Sequence, residues 1–223
     1  MATLPRAPLR RLTKRFLRAR HGASAVEFAL ISPVLLLIFV ATIDLSRAVT
    51  AANRASFVAD TIAELVSQAD HTLSSDELDG FMLLAPLIDP DALRYGRQTG
   101  IKNLQQLVGV TISSVAFSKT EATCTAGCNY LGSVVFSRSN TTANWPCGMV
   151  TARPDDGIGK STTIPTSLFG PDSLVVVDVV AYFRPLFLTR FSFLKSFNRT
   201  SYYRPRTQAR INSAQNCSAF SIL

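Results

Sequence analysis

The chain opens with a polar, basic stretch, which gives way to a long apolar run and then to apolar residues at helical spacing. The apolar run, ASAVEFALISPVLLLIFVATI, extends from Ala23 to Ile43 and has 21 residues with a single charge. A helix of that length, at about 1.5 Å per residue, crosses the roughly 30 Å hydrocarbon core of a bilayer. Small and apolar residues then recur every three or four positions as far as Gln68. The pattern predicts one helix from Ala23 to Gln68, whose second half stands outside the membrane.

The rest of the sequence alternates between turn residues and short apolar or β-branched stretches. Ser74-Ser75-Asp76-Glu77 is a capping box before an apolar run, which predicts a short helix ending at Pro86. Residues 107–118, 131–137, 174–183 and 200–209 have the composition of strands. Residues 139–170 are rich in Asn, Thr, Pro and Gly and are expected to form a long loop. The sequence thus predicts an α+β fold, with the long transmembrane helix packed on a small antiparallel sheet of about four strands and with disulfide-tied loops.

Charge is concentrated at one end of the chain. The 223 residues have a formal net charge of +8, and residues 1–22 contain seven basic residues and no acid, so the remainder carries only +1. This distribution argues against nucleic-acid binding, which needs a basic face on the folded part. By the positive-inside rule it places the N-terminus in the cytoplasm. We expect a basic cytoplasmic leader at 1–22, a transmembrane and extended helix at 23–68, and an extracytoplasmic α+β domain at 69–223.

Four cysteines, Cys124, Cys128, Cys147 and Cys217, all follow the apolar run. An even number of cysteines on one side of a membrane is typical of a disulfide-bonded domain in an oxidising compartment. Three pairings are possible, and the short loop from Cys124 to Cys128 can close on itself, which would leave Cys147 with Cys217. A zinc site is disfavoured by the ligand spacing and by the presence of only one histidine, His71, beyond the leader.

Glu27 is the one charge inside the apolar run. An acid at the centre of a membrane helix costs on the order of 2 to 3 kcal/mol, and such a residue usually has a functional partner. If the bond after Gly22 were cut, the new amino group of Ala23 would lie one helical turn from Glu27. The helix dipole also favours an acid in the first turn. Gly22, which is small and flexible, suits a segment that enters a peptidase site.

These residues match a known motif. The string Arg20-His21-Gly22-Ala23-Ser24-Ala25-Val26-Glu27-Phe28 resembles the prepilin cleavage motif, in which a membrane aspartyl peptidase cuts after Gly and Glu is the fifth mature residue. The form GASAVEFALISPVLLLI is similar to the TadE/TadG group of tight-adherence (Flp-type) pilus proteins. The resemblance implies cleavage between Gly22 and Ala23, with Glu27 and Phe28 as the assembly and processing motif. It also implies retention in the bacterial inner membrane and a role in assembling a pilus. The implied partners are a prepilin peptidase, other pilin-like and tight-adherence secretion components, and the lipid bilayer.

The C-terminal third carries a looser resemblance. Residues 182–187, YFRPLF, followed by a second aromatic and proline-containing stretch at 202–206, resemble the end of TadE-like proteins. Between them lies an apolar patch for which three interpretations are open: core, a membrane-facing surface or a subunit contact. We favour core. The patch consists of Phe187, Leu188, Phe191, Phe193, Leu194 and Phe197.

No catalytic site emerges from the sequence. Residues 157–162, GIGKST, approximate the end of a P-loop, but Pro154 stands where the motif requires its first glycine. A nucleophilic triad needs a base, but His21 belongs to the leader, and His71, beside the polar Asp70 and Thr72, is typical of a solvated residue at a helix end. We therefore expect no enzymatic activity, no metal or cofactor and no small-molecule substrate.

Two other functions compete with a pilus-assembly pseudopilin. In the first, the helix is an uncleaved tether for an extracytoplasmic scaffold or adhesin-like binding module. In the second, the apolar run is the signal peptide of a secreted hydrolase. The long apolar run, which continues into a helical pattern, and the missing catalytic residues disfavour the second. Glu27 separates the first from a pseudopilin, because a simple tether tolerates its replacement by leucine.

Overall fold

A single long helix dominates the architecture. The computed structural model describes residues 22–141, 143–157, 162–187, 196–214 and 217. Helix α1, Gly22–Ser67, has 46 residues and is therefore about 69 Å long. It passes through Pro33 without interruption and ends within one residue of the predicted position. The predicted single helix from the apolar run into the domain is confirmed.

The second half of α1 packs on the sheet through small side chains. Along this half, alanines face the sheet with the larger Val58, Ile62 and Val66 among them, and all of these side chains are buried. Because alanine projects little beyond the helix backbone, α1 approaches strands of the sheet closely. The alanine stripe consists of Ala48, Ala51, Ala52, Ala55, Ala59 and Ala63.

Two short helices follow α1. In α2, Ser75–Ile88, the N-cap Ser74 accepts from the Glu77 amide and Glu77 bonds back to the Ser74 amide, so the predicted capping box forms. The predicted end at Pro86 is wrong, because α2 continues to Ile88 with Pro86 in its last turn. Only a few residues follow this proline, so its missing N–H and its steric clash affect a single turn. Helix α3, Pro90–Thr99, was not predicted; it is capped by Asp89 and ends at Gly100 in the left-handed conformation.

The sheet has six strands in the order β4-β3-β2-β1-β5-β6. All neighbouring strands are antiparallel except β3 and β4, which pair in parallel. A bulge interrupts the β1–β2 register at Ser114/Val115. The strands are β1 (Val108–Lys119), β2 (Tyr130–Ser139), β3 (Met149–Arg153), β4 (Thr163–Pro165), β5 (Leu174–Tyr182) and β6 (Ser196–Tyr203).

The two faces of the sheet carry separate cores. One face meets α1 and α2 through residues such as Val110, Ile112 and Val177. The other face is covered by the chain between β2 and β5, which contributes the buried Trp145 and Ile164. Because a strand projects alternate side chains to opposite faces, the continuous run of valines in β5 supplies both cores.

The predicted α+β class, a long N-terminal helix on a mainly antiparallel sheet, is confirmed with two corrections. The segment 139–170 is not only loop, because β3 and β4 form within it and extend the sheet from about four strands to six. The last strand begins at Ser196 and ends at Tyr203, so the predicted range 200–209 was displaced. Pro205 cannot donate to a ladder, which is consistent with the strand ending before it.

Two disulfides cross-link segments of the domain that lie between and after the strands. Cys124 is bonded to Cys128 within the β1–β2 connection. Cys147 is bonded to Cys217, which joins the chain between β2 and β3 to the C-terminal segment. The structure thus has the pairing that the short Cys124–Cys128 loop suggested.

Candidate functional site

Most of the first half of α1 is not covered by any part of the chain that the structure describes. From Val26 to Phe39 its large apolar side chains are exposed, from 53% for Leu35 to 74% for Leu30, and Val40 and Ile43 near the domain are partly buried. Of the helices that the structure describes, this is the one that is long and apolar enough to cross a membrane. A fully exposed apolar helix needs either lipid or other apolar helices around it, because in water it would expose far more apolar area than a stable soluble surface carries.

Glu27 and Phe28 lie on this exposed segment. Phe28 is 67% exposed, and Glu27 is exposed and forms no hydrogen bond or ion pair with any described residue. The first turn of α1 contains no acidic residue, so Glu27 lies just past the turn where the helix dipole acts most strongly. Gly22 and Ala23 begin the helix, and Ala23 precedes Glu27 by four residues, close to one helical turn. The rest of the leader, 1–21, lies outside the described residues.

Asp44 follows the last residue of the apolar run and is a site residue that sequence reasoning missed. Its side chain is only 5% exposed. It accepts hydrogen bonds from the backbone N–H groups of Leu186 (2.9 Å) and Phe187 (3.1 Å). The only sequence signal was an acid placed directly after the apolar run. Its partners are more than 140 residues away along the chain, so no local pattern could identify them.

The segment after β5, residues 183–187, is called the corner below. Phe183 is buried against Ala48 and Ala51 of α1, with Phe197 packed beside them. Leu186 and Phe187 are 40% and 56% exposed. The expectation that Phe187 belongs to the core is therefore wrong, whereas Phe197 packs partly buried beside Phe183. The other members of the predicted apolar patch, Leu188, Phe191, Phe193 and Leu194, lie outside the described residues.

Titratable side chains elsewhere form structural contacts. His71 contacts Asp70 and Glu77 through its two ring nitrogens, each at 2.8 Å. The hydrogen bonds to Asp70 and Glu77 raise the pKa of His71. The Ser74 backbone amide, with His71 and the Ser74 hydroxyl, lowers the pKa of Glu77 to about 2. All of these groups are at the solvent-exposed start of α2, where they complete its cap.

Asp178 is a half-buried carboxylate on the sheet face that Trp145 covers. Trp145 donates from Nε1 to Asp178 (2.7 Å), and the Thr200 hydroxyl donates to its other oxygen (2.5 Å). Burial raises the pKa of Asp178, although both hydrogen bonds oppose that shift. Both carboxylate oxygens are used within the fold. Among the described residues no group of three or more His, Cys, Asp or Glu side chains could hold a metal ion.

These observations define a class of protein: an α+β domain with two disulfides, carried on an apolar helix long enough to span a membrane. The match to a known protein family covers only part of the chain. The TadE-like protein family matches residues 22–64, which is the length of α1 apart from its last turn. The resemblance to TadE-like proteins inferred from the Gly22–Glu27 motif is thus confirmed over this segment. No curated protein and no solved structure gave a significant match.

Proposed function

We propose that the protein is an inner-membrane pseudopilin that acts in assembly of a tight-adherence type pilus. In this proposal a prepilin peptidase cuts after Gly22, and the processed helix packs beside other pilin-like helices in the membrane. The basic leader remains in the cytoplasm, and the domain stands in the periplasm. The protein acts by contact with its partners, without chemistry of its own.

One observation carries the proposal: Glu27 lies on an exposed apolar helix without a partner among the described residues. An isolated carboxylate in hydrocarbon is costly, so a membrane helix that retains one implies a compensating charge. The amino group of Ala23 after cleavage is such a charge, either on the same chain or on a neighbouring subunit. Because it is cationic below a pKa of about 8, it is charged at physiological pH.

The location of the domain is supported by its chemistry. Both disulfides join parts of the chain that follow the apolar run. Disulfides persist in oxidising compartments such as the bacterial periplasm and are rare in the cytosol. The seven basic residues before the run favour a cytoplasmic leader. Both features therefore favour the same orientation of the helix.

The test is a comparison of two acid-to-leucine changes on the same helix. In a strain whose own copy is deleted, Glu27→Leu is compared with Glu64→Leu. Glu64 is a partly exposed acid on the extracytoplasmic half, 3.6 Å from Arg206. Glu27→Leu is expected to insert into the membrane at least as well as wild type and to lose surface pili, counted by electron microscopy. Glu64→Leu is expected to retain them.

The uncleaved tether makes the opposite prediction. A helix that serves only as an anchor is improved by Glu27→Leu, because the change removes the one charge from its apolar run. Normal pilus numbers in that variant, at wild-type protein levels, would therefore favour the scaffold or adhesin-like module over the pseudopilin.

A further inference from the structure

Leu186 and Phe187 lie at the level where α1 leaves its apolar run. Their backbone N–H groups both donate to Asp44, the first residue beyond Ile43. Two hydrogen bonds to one buried carboxylate fix the corner at this height on the helix. If residues 23–43 occupy the hydrocarbon core, as the proposed function requires, Asp44 lies at its outer boundary and the corner lies beside it.

The exposed side chains of the corner fit that position. Leu186 and Phe187 are adjacent, and both expose large apolar side chains. They lie beside a helix whose apolar run is also largely exposed. The two hydrogen bonds to Asp44 therefore place these exposed side chains beside the outer end of the apolar run. On a water-exposed loop two such residues would have no compensating contact, whereas at a membrane boundary they are solvated by the upper acyl chains.

Basic and aromatic residues form a cleft that includes the start of the corner. Arg47, Arg94 and Arg184 line one shallow cleft with Tyr95 and Tyr182, whose rings stack at 5.7 Å. None of the three arginines forms an ion pair with any described residue, and Arg47 Nη1 is buried without a hydrogen-bond partner. The Arg47 guanidinium lies 5.9 Å from the centre of the Phe183 ring.

One acid, Asp91, also lines the cleft. Its carboxylate accepts from Arg54 at 2.7 Å, so its charge is already paired. The cleft as a whole is therefore positive. Arg47 is four residues beyond Ile43, about 6 Å along the helix, which is within a headgroup layer on the order of 5 to 8 Å thick. Arginine and tyrosine at this depth are typical of side chains that contact lipid phosphates and the interfacial region.

We propose that the corner is a membrane-docking element: Leu186 and Phe187 insert at the outer boundary of the hydrocarbon core, and the arginines of the cleft contact phospholipid phosphates. Asp44 holds the corner at the depth that this insertion needs. The domain would then rest on the bilayer at a second point besides α1, which restricts its tilt relative to the membrane. The inference rests on the proposed membrane placement of α1.

Tryptophan fluorescence in lipid nanodiscs tests this placement. The chain has a single tryptophan, Trp145, which is buried on the far sheet face, so the unmodified protein supplies the baseline. A second tryptophan is introduced by Phe187→Trp, by Phe57→Trp or by Leu36→Trp in the full-length protein. Phe57 is a matched control, because it is 62% exposed on α1 but about 21 Å beyond Ile43. Leu36 lies inside the apolar run, so Leu36→Trp tests whether α1 itself crosses the bilayer.

The nanodiscs contain phospholipids brominated on the upper part of the acyl chain, and bromine quenches tryptophan on contact. We expect lipid bromination to remove about half of the added fluorescence in Phe187→Trp, as for a side chain at the headgroup and acyl boundary. Phe57→Trp should show the baseline response, and Leu36→Trp should be quenched.

Three results would overturn the inference, and they have different meanings. Quenching of Leu36→Trp but not of Phe187→Trp means that α1 spans while the corner does not reach lipid. Absence of quenching in Leu36→Trp means that α1 does not span the bilayer, which contradicts both this inference and the proposed function. A quencher dissolved in the water is added as a further measurement. If neither this quencher nor brominated lipid reduces the added fluorescence of Phe187→Trp, another part of a protein covers the corner.

Discussion

Asp44 holds the corner against α1, and its replacement by asparagine should release it. The carboxylate accepts one backbone N–H on each oxygen, from Leu186 at 2.9 Å and from Phe187 at 3.1 Å. Asparagine has nearly the same shape as aspartate but only one acceptor oxygen. Its NH₂ group would therefore face one of the two backbone N–H donors without accepting from it. Hydrogen bonds to charged groups contribute about 1.5 to 3 kcal/mol each. We therefore expect Asp44→Asn to destabilise the packing of the corner against α1 by about 2 kcal/mol.

The effect should be local, so amide hydrogen exchange is the appropriate assay. A loss of about 2 kcal/mol makes opening roughly 30-fold more frequent, since each 1.4 kcal/mol is a factor of ten. Peptides containing the Leu186 and Phe187 amides should exchange faster by about that factor, while peptides from β1 remain unchanged. The matched control is Asp172→Asn, which breaks an exposed ion pair with Arg204 away from the corner. It should leave the corner peptides unaffected.

Equal exchange of these two amides in Asp44→Asn and in wild type would show that the Asp44 carboxylate does not hold the corner against α1. A uniform acceleration over the whole domain would also contradict the prediction, because that would mean that Asp44 stabilises the fold in general and does not fix the corner specifically.

Three further predictions concern stability of the full-length protein in detergent, measured by chemical denaturation. Burial raises the pKa of Asp178 above its ordinary 3.8, so its contribution to stability is greatest below that pH and is lost as pH rises through the folded pKa. The stability of Asp178→Asn relative to wild type should therefore increase with pH over that window, and a pH-independent difference would contradict this. Gly132→Ala should cost about 1 to 3 kcal/mol, because the new Cβ would lie 2.4 Å from Val150 Cγ2, whereas Gly80→Ala, with nothing within 4 Å, should stabilise α2; equal effects would contradict the packing. Removal of the disulfide by Cys147→Ser with Cys217→Ser should cost about 4 kcal/mol, roughly twice the cost of removing the short-loop disulfide, and the reverse order would contradict the chain-entropy argument.

The elements that were predicted correctly have strong periodic signals. The apolar run and the alanine stripe give α1, and the apolar β-branched stretches give β1, β2 and β5 within a few residues of their observed bounds. The capping box at Ser74 and Glu77 located the start of α2, since its mechanism is local. Such signals depend on neighbouring residues and therefore remain visible in a single sequence.

The elements that were missed depend on tertiary contacts or on weak signals. Helix α3 is polar and has only Ala92 and Gly96 buried, so it lacks an apolar stripe; the cap at Asp89 with Pro90 and the end at Gly100 were its only signals. Strands β3 and β4 are five and three residues long. Their parallel pairing joins two segments that are about ten residues apart in the sequence. Nothing local distinguishes such short strands from loop.

The candidate site divides in the same way. Gly22, Ala23, Glu27 and Phe28 form a contiguous motif, which a sequence displays directly. The link from Asp44 to the corner joins two distant segments, so the sequence shows only an acid after an apolar run. The long-range contact becomes apparent only when the fold places β5 beside α1.

The proposed processing is tested most directly by determining the N-terminus of the protein extracted from the membranes of its source organism. Intact mass and terminal peptide sequencing should show a mature chain that begins at Ala23 in wild type and an uncut leader in Gly22→Leu. That result would establish prepilin processing and the amine that we propose as the partner of Glu27. A wild-type chain that retains residues 1–22 would contradict processing, remove that amine, and favour a membrane-anchored scaffold.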